Sequence, residues 1–255
     1  MRFPTPLHVA RYIRRQLRVV NAASYLARYG IDVVYLAGYA RWRNEHVRER
    51  CPACGFEGPF VAFGNPPRLG AQCPGCGSLE RHRFLALLLD QGLIPEGSDI
   101  LHFAPEARVG SLLRRVAKRY VTADLYMQGV ALKLNIEETG LADEEFDVVV
   151  CSHVLDYVDD RKALSELRRI IRPGGLLILM VEVTEGIPTY EDSTLNADQR
   201  ESVFGDRAKL RLYGGADFRD LIRNSGFELK TYVAETRPAI ENGLDLGDKI
   251  FVCSR

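Results

Sequence analysis

The sequence predicts an α/β protein in which an open, mostly parallel sheet is covered by helices on both faces and preceded by a small four-cysteine ribbon. Three observations predict it. Short apolar runs with strand character alternate with helical patterns from Ser78 to the C-terminus. Two Cys-Pro-x-Cys-Gly knuckles precede them, and the first fifty residues are rich in arginine. At 255 residues and 46% hydrophobic, the chain is long enough for one large domain and a small one.

The N-terminal segment, 1–50, is read as helical and basic. Leu7, Ala10, Ile13, Leu17 and Val20 fall near helical spacing with Arg11, Arg14, Arg15 and Arg18 between them, and a second helical stretch runs over 22–39. Such a face can lie on an acidic protein partner, an anionic membrane surface or nucleic acid, or it can be the solvated side of a helix packed on its own domain. The whole chain balances 34 basic against 34 acidic residues, so the charge is segregated and not in excess. No continuous apolar run suits a membrane span or a secretory signal, and a cytoplasmic location is expected.

The ribbon, 51–83, carries the sharpest local signal. Cys51, Cys54, Cys73 and Cys76 form C-x2-C-x18-C-x2-C. Four thiolates on two knuckles make a closed tetrahedral site, with Gly55 and Gly77 allowing the left-handed turn after each pair. Structural zinc is expected, iron remains an alternative for the same donors, and two disulfides do not suit a cytoplasmic chain. Phe56, Phe60 and Phe63 between the knuckles read as the ribbon's core. Stacking on nucleic-acid bases is the lesser reading, because only Arg68 accompanies them.

The large domain, 84–255, follows a helix that Ser78 could cap. Its predicted elements are strand Ile100 to Phe103, helix Ala107 to Lys118, strand Tyr120 to Ala123, strand Phe146 to Cys151 and helix Lys162 to Ile171. A Pro173-Gly174-Gly175 turn, strand Leu176 to Val183, helix Phe218 to Asn224 and two late strands near 227–233 and 249–253 complete it. Cys151 and Cys253 sit in apolar strand patterns as inert core thiols. Ligands bind such sheets at the carboxyl ends of the strands. There the first loop, Ala104-Pro105-Glu106, lacks the glycines that let backbone approach a phosphate, while Asp124 can accept hydrogen bonds from both hydroxyls of a ribose.

The run from Leu134 to Val183, with "FDVVVCSHVLDYV" and "IRPGGLLIL", closely resembles class I S-adenosylmethionine-dependent methyltransferases. Within them, "CGSLERHR" (Cys76 to Arg83), "LHFAPE" (Leu101 to Glu106), "TYED" (Thr189 to Asp192), Phe204-Gly205 and Leu212 to Gly214 resemble a subfamily that joins a four-cysteine ribbon to the domain. The resemblance covers about Cys51 to the C-terminus. It implies a seven-stranded Rossmann-like sheet with an antiparallel hairpin end. It also implies an S-adenosylmethionine site formed by His102, Phe103, Ala104, Glu106, Asp124, Leu125, Asn135, Ile136 and Ser152. His102 stands where the family usually has an acid for the methionine ammonium, and Glu106 can supply that charge. Pro105, as the last residue before the helix, would preorganise the turn. Where the subfamily has "SHVLEHV" this chain has "SHVLDYV", with Asp156 and Tyr157.

Methyl transfer is an in-line displacement that needs mainly positioning, plus a base when the acceptor is a hydroxyl or ammonium. His153 is the candidate base, with Asp156 one turn on to orient its ring; alternatively it only bonds backbone near the adenine. His82 could reach the cleft from the ribbon side, or serve in a charged helix that docks the ribbon. The stretch 184–215 is too long for a simple connection and reads as a lid whose mixed charges suit a polar acceptor such as a small molecule, sugar or glycan, or peptide. The alternative function is a nucleic-acid-binding or ligand-binding module without turnover.

Overall fold

The computed structural model describes residue 42, residues 47–64 and residues 68–255. The expected N-terminal helices, and with them the basic docking face, fall outside these residues apart from the last few. In chain order the elements are β1 (Val61–Phe63), β2 (Arg68–Gln72), α1 (Glu80–Asp90), β3 (Ser98–Phe103), α2 (Ala107–Leu113), β4 (Ala117–Asp124), β5 (Leu132–Lys133) and β6 (Phe146–Ser152). A 3-10 turn (Leu155–Tyr157), α3 (Asp160–Ile170), β7 (Ile171–Met180), β8 (Val183–Thr184), β9 (Tyr190–Glu191) and α4 (Ala197–Phe204) follow. The last are β10 (Arg211–Gly214), α5 (Gly215–Asn224), β11 (Glu228–Val233), α6 (Thr236–Glu241) and β12 (Lys249–Ser254).

The described residues form two compact units, one that ends its first stretch at Leu87 and includes Ala234–Asp248, and the other Leu88–Val233 with Lys249–Arg255. The first unit holds the cysteine knuckles and the antiparallel β1–β2 pair. Its core is Cys51, Phe60, Cys73 and Cys76, with Phe56 packed against them. Phe63 stays only half-buried and is not part of that core. The segment Ala234–Asp248, which the sequence places between the two late strands of the sheet domain, belongs to this unit instead.

The second unit is built on a seven-stranded sheet in the order β11-β12-β7-β6-β3-β4-β5. Strands β7, β6, β3, β4 and β5 run parallel, and the β11–β12 hairpin joins antiparallel to β7, as the resemblance implied. One face packs Leu101, Phe103, Val149, Cys151, Leu177, Leu179 and Phe251 against Ala163, Leu164 and Leu167 of α3 and Phe218 and Ile222 of α5. Each large side chain removed from water here contributes about 1.5–3 kcal/mol. Asp159 caps α3 by accepting from the Lys162 N–H at 3.2 Å.

Three expected boundaries move. Helix α2 stops at Leu113 instead of continuing to Lys118, because β3 begins at Ser98 and Ala117 must already be extended to pair with it. Pro173-Gly174-Gly175 is not a turn before a strand but an irregularity inside β7, where the pairing passes from Phe146 with Ile171 to Val148 with Leu176. Stretch 184–215 is itself folded: β10 pairs with β8 and β9 in a three-stranded sheet, and α4 carries a full Asn196–Gln199 capping box.

Candidate functional site

The sheet order reverses between β3 and β6. From β3 the chain moves outward to β4 and β5, then returns to place β6 on the other side, which opens a crevice at the carboxyl ends. Both residues flanking it adopt left-handed backbone, Ala104 at φ 46° and His153 at φ 51°. An L-residue takes that conformation at a cost of order 1 kcal/mol, and such strain concentrates at functional sites. Ala104 thus makes the sharp exit from β3 that a glycine would make more cheaply, and its N–H donates to the Ala123 carbonyl at 3.0 Å. Pro105 lies one position earlier than expected. Glu106 is the N-cap residue of α2, and its side chain makes no cap bond. Its carboxylate crosses the crevice instead, where Oε1 accepts a hydrogen bond from Ser152 Oγ at 2.8 Å.

Asp124 closes β4 in a fixed pose. Its Oδ1 accepts from the N–H groups of Tyr126 and Met127, both at 2.6 Å, and the exposed Leu125, Tyr126 and Met127 line the turn it holds. Asn135 Oδ1 accepts from the Glu137 N–H at 3.0 Å, with Ile136 buried beside it in the main core. His102 and Phe103 differ from the expected cofactor contacts. Alternation along β3 sends His102 to the α2 face, fully buried, where Nδ1 meets Tyr120 Oη at 2.8 Å, and sends Phe103 into the α3 and α5 core. The crevice edge at this strand is left to Ala104 and Glu106.

On the far side of β6, His153 is exposed and its N–H donates to the Met180 carbonyl at 2.9 Å. Asp156 was expected to orient this histidine, but its carboxylate pairs elsewhere. Asp156 is 2% exposed; Oδ2 lies 3.3 Å from Lys209 Nζ, and Oδ1 has no hydrogen-bond partner among the described residues. Arg211, also buried, donates to both Glu191 oxygens at 3.0 Å and to the carbonyls of Leu155 and Val158, while Tyr213 Oη donates to Asp160. Lys209, Arg211 and Tyr213 therefore face protein partners, whereas Tyr190 of the same segment is exposed. Burial and the nearby Asp156 and Asp206 carboxylates push the Tyr157 hydroxyl up to about 12, so it acts as a neutral donor to Asp206 at 3.2 Å.

In the first unit the four cysteine sulfurs lie within 4.8 Å of one another. Cys51 to Cys76 and Cys54 to Cys73 measure 3.7 and 3.8 Å. A tetrahedron with metal–sulfur bonds of about 2.3 Å has edges of about 3.8 Å, whereas a disulfide needs about 2 Å. The donor set fits a four-thiolate metal ion. Gly55 and Gly77 stand at φ 76° and 74°, as the knuckles require. Ser78 does not cap α1; its hydroxyl reaches the sulfurs of Cys51 and Cys76 at 3.3 and 3.2 Å. Burial opposes ionisation of Cys76, yet hydrogen bonds from Ser78 together with those from Cys54 and Cys51 outweigh it and bring that thiol down to about 7.

His82, a candidate for the cleft, is instead buried at the start of α1, with Nδ1 accepting from the Leu79 N–H at 3.2 Å. Its neighbour Arg83 is the residue that sequence reasoning missed. Fully buried, it donates to the carbonyls of Ala71, Ser78, Asn242 and Gly243 and lies over the Phe60 ring at 4.3 Å. The only signal in the sequence was a second arginine in "LERHR" beyond what a solvated face needs.

A family model described as a methyltransferase domain matches residues 108–179, the stretch from α2 through β7. Over that stretch the chain resembles a methyltransferase domain. Over 46 residues it is 52% identical to the thiol S-methyltransferase TMT1B of Mus musculus, a match covering 18% of this chain. It spans only 19% of that relative's length. An uncharacterized protein of Methanocaldococcus jannaschii is 36% identical over 72 residues, which are 28% of this chain and 27% of that protein. Among solved structures, an S-adenosylmethionine-dependent methyltransferase from Mesorhizobium loti has a TM-score of 0.48 at 14% identity, covering 68% of this chain and 98% of that one.

In the second unit the switch point brings together Ala104, Glu106 and Ser152. Asp124 closes the neighbouring strand, Asn135 follows β5, and His153 succeeds Ser152 directly. Burial separates His102 and Phe103 from that set. Cys151 and Cys253 are buried in the sheet as expected, and burial pushes the Cys253 thiol up to about 12. Among the described residues no helix is long and apolar enough to cross a membrane.

Proposed function

We propose that this chain transfers the methyl group of S-adenosylmethionine to oxygen or nitrogen of a polar acceptor: a small molecule, a sugar or glycan, or a peptide-like compound. The observation that carries the reading is the Glu106–Ser152 contact across the switch point, which holds a carboxylate where a methionine ammonium would lie in this fold. Asp124, fixed through Oδ1, keeps Oδ2 for the ribose hydroxyls, and Asn135 with Ile136 borders the adenine. The bound sulfonium supplies an activated methyl carbon. His153 takes the acceptor's proton as the lone pair it frees forms the new bond and the carbon–sulfur bond breaks. The ribbon's cysteines hold a structural zinc with no open position, so the metal keeps the fold and takes no part in transfer. This reading keeps the protein in the cytoplasm, with the basic N-terminal segment available to an acidic partner.

A second reading, transfer to a thiol, is favoured by the thiol S-methyltransferase among the relatives. A thiolate is nucleophilic without a positioned base, so the two readings part at His153. Calorimetry with S-adenosylhomocysteine tests the common core: the parent and His153→Ala should bind one equivalent with similar affinity. Absence of binding by the parent overturns both readings. Once an acceptor is found, a loss of about 10²–10⁴ in turnover for His153→Ala supports proton transfer, and unchanged turnover supports a thiolate acceptor.

A further inference from the structure

A groove of about 700 Å³ runs between α3 and α5 on the outer side of the methyltransferase domain. It is lined by Arg161, Ser165, Arg168, Arg169, Asn224 and Arg255 among others, with no aspartate or glutamate among its lining residues. Its four arginines divide into two pairs. Arg169 is held by Glu166 at 2.8 Å and Asp143 at 2.6 Å, and Arg255 by Glu144 at 3.0 Å; these charges are balanced and their side chains fixed. Arg161 and Arg168 make no ion pair among the described residues. They sit on α3 seven residues apart, about 10 Å along the axis on the same face, with Ser165 between them.

Arg168 is positioned, not loose. Its Nε donates to the Gly226 carbonyl at 3.1 Å, which leaves Nη1 and Nη2 for a ligand. Gly226 stands at φ 84°, and a Cβ there would come within 2.8 Å of Arg168 Nε, so the glycine makes room for the guanidinium to lie across the end of α5. Guanidinium forks match phosphate oxygens in pairs, and two of them converging from about 10 Å suit a ligand with two adjacent phosphoryl groups better than a single anion.

We propose that this groove is a binding site for a diphosphate-bearing small molecule, distinct from the crevice at the carboxyl ends of the sheet. Arg161 and Arg168 clamp the two phosphoryl groups, Ser165 and Asn224 supply neutral hydrogen bonds, and the balanced Arg169 and Arg255 form the wall. The site is independent of methyl transfer.

Calorimetry of the full chain with inorganic pyrophosphate at low salt tests this, with S-adenosylhomocysteine titrated in parallel. The parent should bind pyrophosphate at one site, and the double variant Arg161→Ala/Arg168→Ala should weaken it by tenfold or more. Arg223→Ala removes one charge from α5 outside the groove and should change pyrophosphate affinity less than twofold. Affinity for S-adenosylhomocysteine should be the same in all three proteins. No pyrophosphate binding by the parent, or equal losses in the double variant and Arg223→Ala, overturns the site. Citrate bound as tightly as pyrophosphate, or retention on heparin without pyrophosphate affinity, overturns the diphosphate assignment.

Discussion

Replacing Glu106 separates the strut to Ser152 from the ammonium contact that the proposed function assigns to the same carboxylate. In the structure Oε1 accepts from Ser152 Oγ at 2.8 Å, and Ser152 is buried at the end of β6. Glu106→Ala removes both the charge and the acceptor. The stranded hydroxyl should cost about 1–3 kcal/mol of folding stability, and loss of a charge-assisted hydrogen bond to the ligand ammonium about 1.5–3 kcal/mol of binding. The second figure is a weakening of roughly 10- to 150-fold. Glu106→Gln keeps an amide oxygen for Ser152 and discards only the charge. It should melt within a few degrees of the parent while losing most of the same affinity. The assay is S-adenosylhomocysteine calorimetry on each variant, paired with urea unfolding. If glutamine binds as tightly as glutamate, the ammonium is not received here and Glu106 is only a strut between β3 and β6.

Two further outcomes are expected. Elemental analysis should return about one zinc per chain, and Cys73→Ser should lose both the metal and the folded first unit; iron in the parent would reassign the ion. Glu166, held well below the usual carboxylate range at about 2 by Arg169 and by Thr139, favours the folded state above its unfolded value of about 4.3, and this contribution is lost as pH falls through about 2. Glu166→Gln should therefore be less stable than the parent to urea at pH 7, and the gap should close near pH 2; a gap that persists there would mean the loss is in packing and not in charge.

The strands of the sheet were legible because their apolar runs end in abrupt polar loops, and those loops are where ligands bind in such folds. Glu106 and Asp124 could be singled out for that reason. What the sequence concealed was direction. His102 is one residue from Phe103, and only the pleat, with its partner Tyr120 on the next strand, decides that neither side chain reaches the crevice. Lys209 and Arg211 looked like a polar lining, since nothing in the spacing shows that Asp156 and Glu191 lie opposite them in space. His82 and Ser78 were misread similarly. Each met a backbone amide or a sulfur whose position depends on knuckles that close only in three dimensions. Boundaries moved where pairing overrode propensity, as when Ala117 was drawn into β4 by Ser98.

Arg83 gives the first unit an unusual history during synthesis. The cysteines and this arginine leave the ribosome before the sheet strands, but the Asn242 carbonyl it needs lies 159 residues further along and emerges only when the sheet domain is nearly complete. Until then a buried cation would lack half its acceptors, and closing so long a loop before the sheet has formed is entropically costly. The ribbon is therefore made before the sheet strands but becomes whole only after most of them have emerged. A fragment ending after residue 83 would carry every sulfur of the metal site and still lack two of the four carbonyls that hold its fully buried arginine.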